Sequence, residues 1–257
     1  MKKLIITFVA LLFSSSIFAQ TSAHFTTSGT IEYEKRVNMY AIIKKRLGND
    51  DGNFASQAFE NYKKTQPQFK SLKSTLTFTG NKTLFTPAPA AEASNDWFSN
   101  MPESKQQNII YTDLNTNIST ARKEVFEEQF LLKDTVRKIN WKITDETREI
   151  AGYNCRRANA VIMDSVYVVA FYTDEIPLSG GPESFTGLPG MILGVAMPHD
   201  NITWFATKVT DMPIPENQLK IPAKGKATDY KGFVATMKKV MKDWGTWGQS
   251  YLKSFLL

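Results

Sequence analysis

The segment TIEYEKRVNM, residues 30–39, decides the fold class. Ile31, Tyr33, Val37 and Met39 fall on one side of an extended chain, and Thr30, Glu32, Glu34, Arg36 and Asn38 on the other. Lys35 alone breaks the pattern. Successive side chains of a strand point to opposite faces, so this rhythm marks a strand with one face in a core.

The same period recurs along the chain. Leu72, Leu76 and Phe78 alternate with Lys73, Thr75, Thr77 and Thr79, and Gly80-Asn81 then makes a glycine-first tight turn into residues 82–85. That is the pattern of a hairpin. Ile139, Trp141 and Ile143 alternate with Lys138, Asn140 and Lys142, ahead of a polar turn at Asp145-Glu146. Residues 166–172 are apolar on both faces, which places them centrally in a sheet. Ile202, Trp204 and Ala206 continue the alternation. Short strands joined by polar turns predict a mainly β (α+β) fold, a single curved antiparallel sheet or half-barrel. By analogy it would be LolA-like, as in envelope lipoprotein carriers.

One or two helices should pack on that sheet. Phe54, Ala55, Ala58, Phe59 and Tyr62 have helical spacing behind a capping Asn53. Tyr230, Phe233, Val234, Met237, Met241 and Trp244 form a longer stripe that predicts a helix near 229–244, with Thr228 as a cap and Asp229 at its positive end. Pro87, Pro89 and Pro102 make residues 86–105 a loop.

The first residues are of another kind. Lys2 and Lys3 precede a run over residues 4–13 that is apolar except for Thr7, and Ser14, Ser15 and Ser16 break it ahead of Ala19. This is the layout of a secretory signal peptide cut between Ala19 and Gln20, and the run is too short to span a bilayer. No cysteine near the cut offers a lipoprotein anchor. The expectation is a signal over residues 1–19, one domain over residues 20–257, and a place in the periplasm or at the outer-membrane periphery. The full chain carries net charge +6; setting aside the two lysines of the signal leaves +4, with no dense basic block. That argues against a nucleic-acid partner. No later apolar run is long enough for an integral span.

The densest run of special residues is GGPESFTGLPGMIL, residues 180–193, directly after the apolar strand. Gly181, Pro182, Gly187, Leu188, Pro189, Gly190, Met191 and Ile192 combine free and fixed backbone angles, which makes a rigid turn between buried strands. Here the chain resembles the GLPGLI family, envelope proteins of Gram-negative bacteria named for this hexapeptide, with Met191 in place of a leucine. Family-like pieces stand upstream in GYNCR, residues 152–156, and in AFYTDEIP, residues 170–177, which holds Tyr172, Glu175 and Pro177 and has Phe171 where tryptophan is more usual. Downstream stand Pro222 and Lys224-Gly225-Lys226. The resemblance is strongest over residues 140–230. It implies compartment and fold and carries no catalytic set, so no cofactor is expected.

Individual candidates are few. Cys155, the one cysteine, could be a thiolate nucleophile favoured by Arg156 and Arg157, but a lone cysteine in a strand is more often a small core residue. Asp174 and Glu175 are adjacent, so on extended chain they point apart; one would face solvent and the other would bind loop N–H groups. Glu183, Ser184 and Thr186 lack a Gly-x-Ser-x-Gly elbow and a convincing histidine, since His24 and His199 are the only ones and lie far apart. Two histidines and one cysteine do not make a zinc site. Trp244, Trp247, Tyr251 and Phe255 could form an interfacial aromatic patch. The leading expectation is therefore a non-enzymatic envelope protein that binds a hydrophobic ligand, a lipid or an envelope protein. Glu175, Arg156 and Cys155 are its possible functional residues. The alternatives are an envelope hydrolase with an unflagged site and an outer-membrane β-barrel.

Overall fold

The computed structural model describes residues 25–48, 54–89, 98, 101–105 and 107–257. The expected signal segment, its cut between Ala19 and Gln20, His24, Asn53 and residues 90–97, 99 and 100 of the expected loop lie outside the described residues, as does the side chain of Trp247.

The alternation at residues 30–39 becomes the middle of β1, Ser28–Asn38, which pairs with β2, Phe69–Thr79, on one side and β11, Ile202–Asp211, on the other. The hairpin partner β3 is Lys82–Pro87, with Gly80 at φ +53 in the turn. Next come β4 (Ile109–Asp113), β5 (Ile118–Val125) and β6 (Glu128–Thr135). Then follow β7 (Lys142–Ile150), β8 (Tyr153–Ile162), β9 (Val166–Thr173) and β10 (Met191–Met197), and later the short β12 (Lys226–Thr228). These form one 12-stranded sheet in the order β12-β6-β5-β4-β3-β2-β1-β11-β10-β9-β8-β7. Every pairing is antiparallel except β12 with β6. The sheet is open. An outer-membrane barrel closes and has no edges, whereas β12 and β7 are edges here, which removes the barrel alternative.

Among the described residues four α-helices accompany the sheet: α1 (Met39–Leu47), α2 (Phe54–Thr65), α3 (Tyr230–Val240) and α4 (Gly245–Leu256). α1 was not expected, because Met39 extends the strand alternation. The Asn38 side chain accepts from Ala41 N and turns the chain there, burying Met39, Ile42 and Ile43. The helix expected near 229–244 is the shorter α3, and α4 follows wholly beyond that range. Asp229, not Thr228, caps α3 by accepting from Gly232 N, and Thr228 belongs to β12. α3 ends at Val240, and Gly245 at φ +55 redirects the chain, so Trp244 is left exposed against Phe126 and Tyr251.

Two more boundaries move. β3 runs through Thr86 and Pro87 into the expected loop, with Pro87 opposite Ser74. Asp145-Glu146 is not a turn but lies inside β7, where the register slips between Ile143 and Thr147. β7 is an edge strand with polar residues on both sides, so alternation cannot mark its limits.

Among the described residues two large clusters make most of the core, beside a small third of Tyr111, Ile214 and Leu219. One gathers Val37, Ile43, Val168, Tyr172, Phe185, Leu188 and Trp204; the other gathers Ile31, Leu76, Phe78, Phe85, Phe130, Leu193 and Phe233. Leu257 belongs to the first and Leu256 to the second, so the end of α4 bridges them. Among the described residues no helix is long and apolar enough to cross a membrane.

Candidate functional site

Lys35, the residue out of pattern in β1, faces the core. It shares its face with Ile31, Tyr33 and Val37, sits opposite Trp204 in the β11 register, and is 5% exposed. Its ammonium lies 5.1 Å from the Trp204 ring centroid and donates to Lys105 O at 2.9 Å. A second lysine repeats this on β5. Lys123, between the inward Ala121 and Val125, is also 5% exposed and donates to Phe255 O at 3.0 Å.

β1 and β5 are four strand spacings apart, about 19 Å if the sheet were flat. Yet Lys35 and Lys123 line one small cavity and both respond to Glu183. The sheet must therefore curl so that these inner faces approach each other. Register breaks in β1/β11 at Glu32–Tyr33 and in β10/β9 at Ile192–Gly194 supply such bending.

The Gly/Pro corner closes the open side. Ile192 N donates to Gly180 O, Gly187 N to Ser179 Oγ, Thr186 Oγ1 to Ser179 O, and Trp141 Nε1 to Thr186 O, all within 2.7–2.8 Å. A Cβ on Gly190 would meet Thr173 O at 2.1 Å, so only glycine lets the corner lie against the end of β9. A Cβ on Gly181 would meet the Ile192 Cβ at 2.9 Å. The corner drives Phe185 onto Trp204, centroids 6.0 Å apart, and carries Glu183 inside at φ +52. Leu188 and Ile192 are buried, and Met191 belongs to the other cluster. Pro182 is buried, while Pro189 is exposed at the rim of the turn.

Glu183 is buried, and its Oε2 accepts from Asn108 Nδ2 at 2.9 Å. Burial draws both lysine ammoniums from 10.5 down to about 8. For Lys35, Glu183 and Glu103 oppose that fall and Lys70 adds to it; for Lys123, Arg137 adds to it and Glu183 opposes it. Arg137, also lowered by burial, donates from Nη2 to Leu256 O, while its Nη1 has no hydrogen-bond partner among the described residues. Ser74 Oγ and Glu103 Oε2 are likewise buried without one.

A larger lobe of about 240 Å³ lies beside the lysine cavity of about 60 Å³. Its walls include Ile42, Lys45, Arg46, His199 and Lys253. Glu103, Ile202, Ser254 and Leu257 line both lobes, so the tip of α4 is the partition. Arg46 pairs with Glu103 at 2.5 Å with both side chains buried, and Ser250 Oγ donates to the same carboxylate oxygen. Together the two lobes offer apolar and aromatic walls and buried cations, with Arg137 just behind the α4 tip. That set can hold an oxygen-rich or anionic group on an apolar chain.

The residues singled out in the sequence lie elsewhere. Cys155 is fully buried on β8, and burial together with Glu175 pushes its thiol up to about 12, which leaves no thiolate at neutral pH. Arg156 is exposed at the Tyr172 register position, and Tyr172 is buried. Glu175 Oε1 accepts from Asn154 N at 3.4 Å, and Asp174 and Pro177 are exposed. Cys155 and Glu175 are neighbours, but neither lines a lobe of the cleft. His199 is exposed in the turn after β10, with its carbonyl accepting from Lys45 Nζ. Among the described residues no cluster of His, Cys, Asp and Glu is arranged to hold a metal. Sequence reasoning missed Lys123 and Arg137 and set Glu183 aside with Ser184 and Thr186; Lys123 left a trace as a lysine at an inward position of an alternating strand.

A family described as a protein of unknown function, Porph_ging, matches residues 160–194, from the end of β8 through the Gly/Pro corner. No curated protein shows a matching sequence. Among solved structures the chain is similar to PNGF-II in the P21 space group, with TM-score 0.50 and 16% identity, covering 80% of this chain and 32% of that one. PNGF-II in the C2 space group gives 0.49 and 15%, covering 88% and 33%. An uncharacterized conserved protein from Thermus thermophilus gives 0.40 and 5%, covering 84% and 98%. The chain spans about a third of the length of the PNGF-II chains. At such identity the first likeness concerns the fold alone.

Proposed function

We propose that this is a non-enzymatic cell-envelope protein of the GLPGLI type, exported by its N-terminal signal, that binds a hydrophobic ligand between its curled sheet and the Gly/Pro corner. The observation that carries the reading is the divided cleft, in which Trp204, Ile202 and Leu257 supply apolar wall while Lys35 and Lys123 supply buried positive charge. The Gly/Pro corner that holds the GLPGMI turn supports it, since that corner sets Glu183 in the wall of the cleft. The spacing of signal-like residues before Gln20 supports an envelope location. The test is to isolate the protein from envelope preparations without detergent, extract it with organic solvent, and identify what it carries by mass spectrometry. Stoichiometric lipid or another apolar molecule is the expected result. Recovery of protein with no such molecule, and with no affinity for added amphiphiles, contradicts the reading.

A second reading, an envelope hydrolase, draws on one observation. Glu183 stands within electrostatic reach of two lysines drawn down to about 8, near the range useful for proton transfer. Turnover of an ester, peptide or glycan substrate that Glu183→Gln abolishes, with melting unchanged, would favour it.

A further inference from the structure

We infer that α4 is a displaceable plug, and that the site under it takes a single-chain fatty carboxylate. This rests on the ligand-binding reading and goes beyond it in naming the ligand class and the competing element.

The sequence of α4, GTWGQSYLKSFL, makes a poor helix on its own. Gly245 and Gly248 are among the weakest helix formers, and the cap residue Trp244 makes no side-chain capping bond. Its middle is tied to Glu103 and Arg46 through Ser250, and its far end is held by three donors. Lys123 Nζ, Arg137 Nη2 and Ser184 Oγ donate to the carbonyls of Phe255, Leu256 and Leu257, one each. Helix ends leave just such carbonyls without intrahelical partners, and they carry the negative end of the dipole, so buried cations suit them.

The occupant thus shows what the site accepts. It presents successive oxygen acceptors to Lys123 and Arg137, and apolar side chains to both core clusters through Leu256 and Leu257. A fatty carboxylate offers the same pairing of oxygens and apolar chain, with a full negative charge in place of carbonyl dipoles. The donors have capacity to spare. Among the described residues each ammonium makes one hydrogen bond of the three it can donate, and Arg137 Nη1 makes none. Because Ser254 and Leu257 line both lobes, withdrawal of the α4 tip merges them into one cavity reaching from Lys45 to Lys35 and Lys123. Ligand and plug would compete for the same donors.

The experiment is hydrogen–deuterium exchange on the full chain with and without myristate below its aggregation limit, paired with binding titrations of myristate and myristyl alcohol. Myristate should speed exchange over residues 249–256 and slow it in β1 and β5. Ser184→Ala removes one plug bond and should tighten myristate about fivefold, the effect of one net hydrogen bond. Lys123→Gln should weaken myristate at least tenfold while leaving the alcohol within a factor of about two. Myristate binding with residues 249–256 unchanged or better protected overturns the plug while leaving the binding function standing. Equal binding of alcohol and carboxylate overturns the assigned ligand class. No saturable binding of either probe overturns the proposal and the function beneath it together.

Discussion

Replacing Lys35 by methionine keeps the chain length of a buried side chain and deletes its charge. The ammonium stands at about 8 in the fold against 10.5 ordinarily, chiefly because burial strips its hydration. At about 1.4 kcal/mol per pH unit, that gap corresponds to about 3 kcal/mol. Between pH 8 and 10.5 the unfolded chain holds the Lys35 proton and the native chain has released it, so native stability rises with pH across that window. The groups facing Lys35 are Glu183, Glu103 and Lys70, and Trp204 lies under it. Cys155 and Tyr33 act in the opposite sense. Their folded values are raised, so their contributions are lost as pH rises above 9 and above 10, respectively. The comparison must therefore be a difference. Urea unfolding of both proteins at pH 7, 8, 9 and 10 cancels Cys155 and Tyr33. At pH 7 Lys35→Met should be the more stable by about 1 kcal/mol, after the lost bond to Lys105 O and the lost Trp204 contact are subtracted. That advantage should shrink and then reverse, changing by about 3 kcal/mol in total by pH 10.5. Two stability curves that stay parallel from pH 7 to 10 would refute the buried, desolvated ammonium.

Two further outcomes follow from the packing. Gly190→Val places a Cβ at 2.1 Å from Thr173 O and should cost at least about 3 kcal/mol, read as a fall in urea midpoint or in soluble yield, whereas Gly152→Ala in the β7–β8 turn, where nothing lies within 4 Å, should cost about 1 kcal/mol at φ +85. Cys155 should resist a thiol reagent at pH 8 in the native state and react at once in urea, because its thiol stands at about 12 and is fully buried; rapid native labelling would contradict that placement.

Strands with one apolar face were legible from the residues. Ile31, Tyr33 and Val37 marked β1, Leu76 and Phe78 marked β2, and Ile202, Trp204 and Ala206 marked β11, because in each case one face meets a core. β4 to β6 were not, since Thr120, Lys123 and Arg122 dilute the pattern where strands face polar groups inside as well as solvent outside. α1 hid behind Met39, which satisfies strand and helix periods alike, and the break before α4 hid because Met241 and Trp244 keep helical spacing across it. The cleft was legible only as an anomaly at Lys35. Its partners are remote in the chain: Lys123, Arg137 and Glu183 meet through sheet curl and the shape of one corner, and neither is a property of any local window. The GLPGMI turn was legible as architecture, and architecture is what brings Glu183 to the lysines.

The most direct measurement is a titration of a fluorescent fatty acid into the purified full chain at pH 7, beside the Lys35→Met/Lys123→Met double variant. The account predicts saturable one-to-one binding that weakens at least tenfold in the double variant while both proteins melt cooperatively. Equal affinity in the two proteins, or none in either, would contradict a lysine-lined binding cleft.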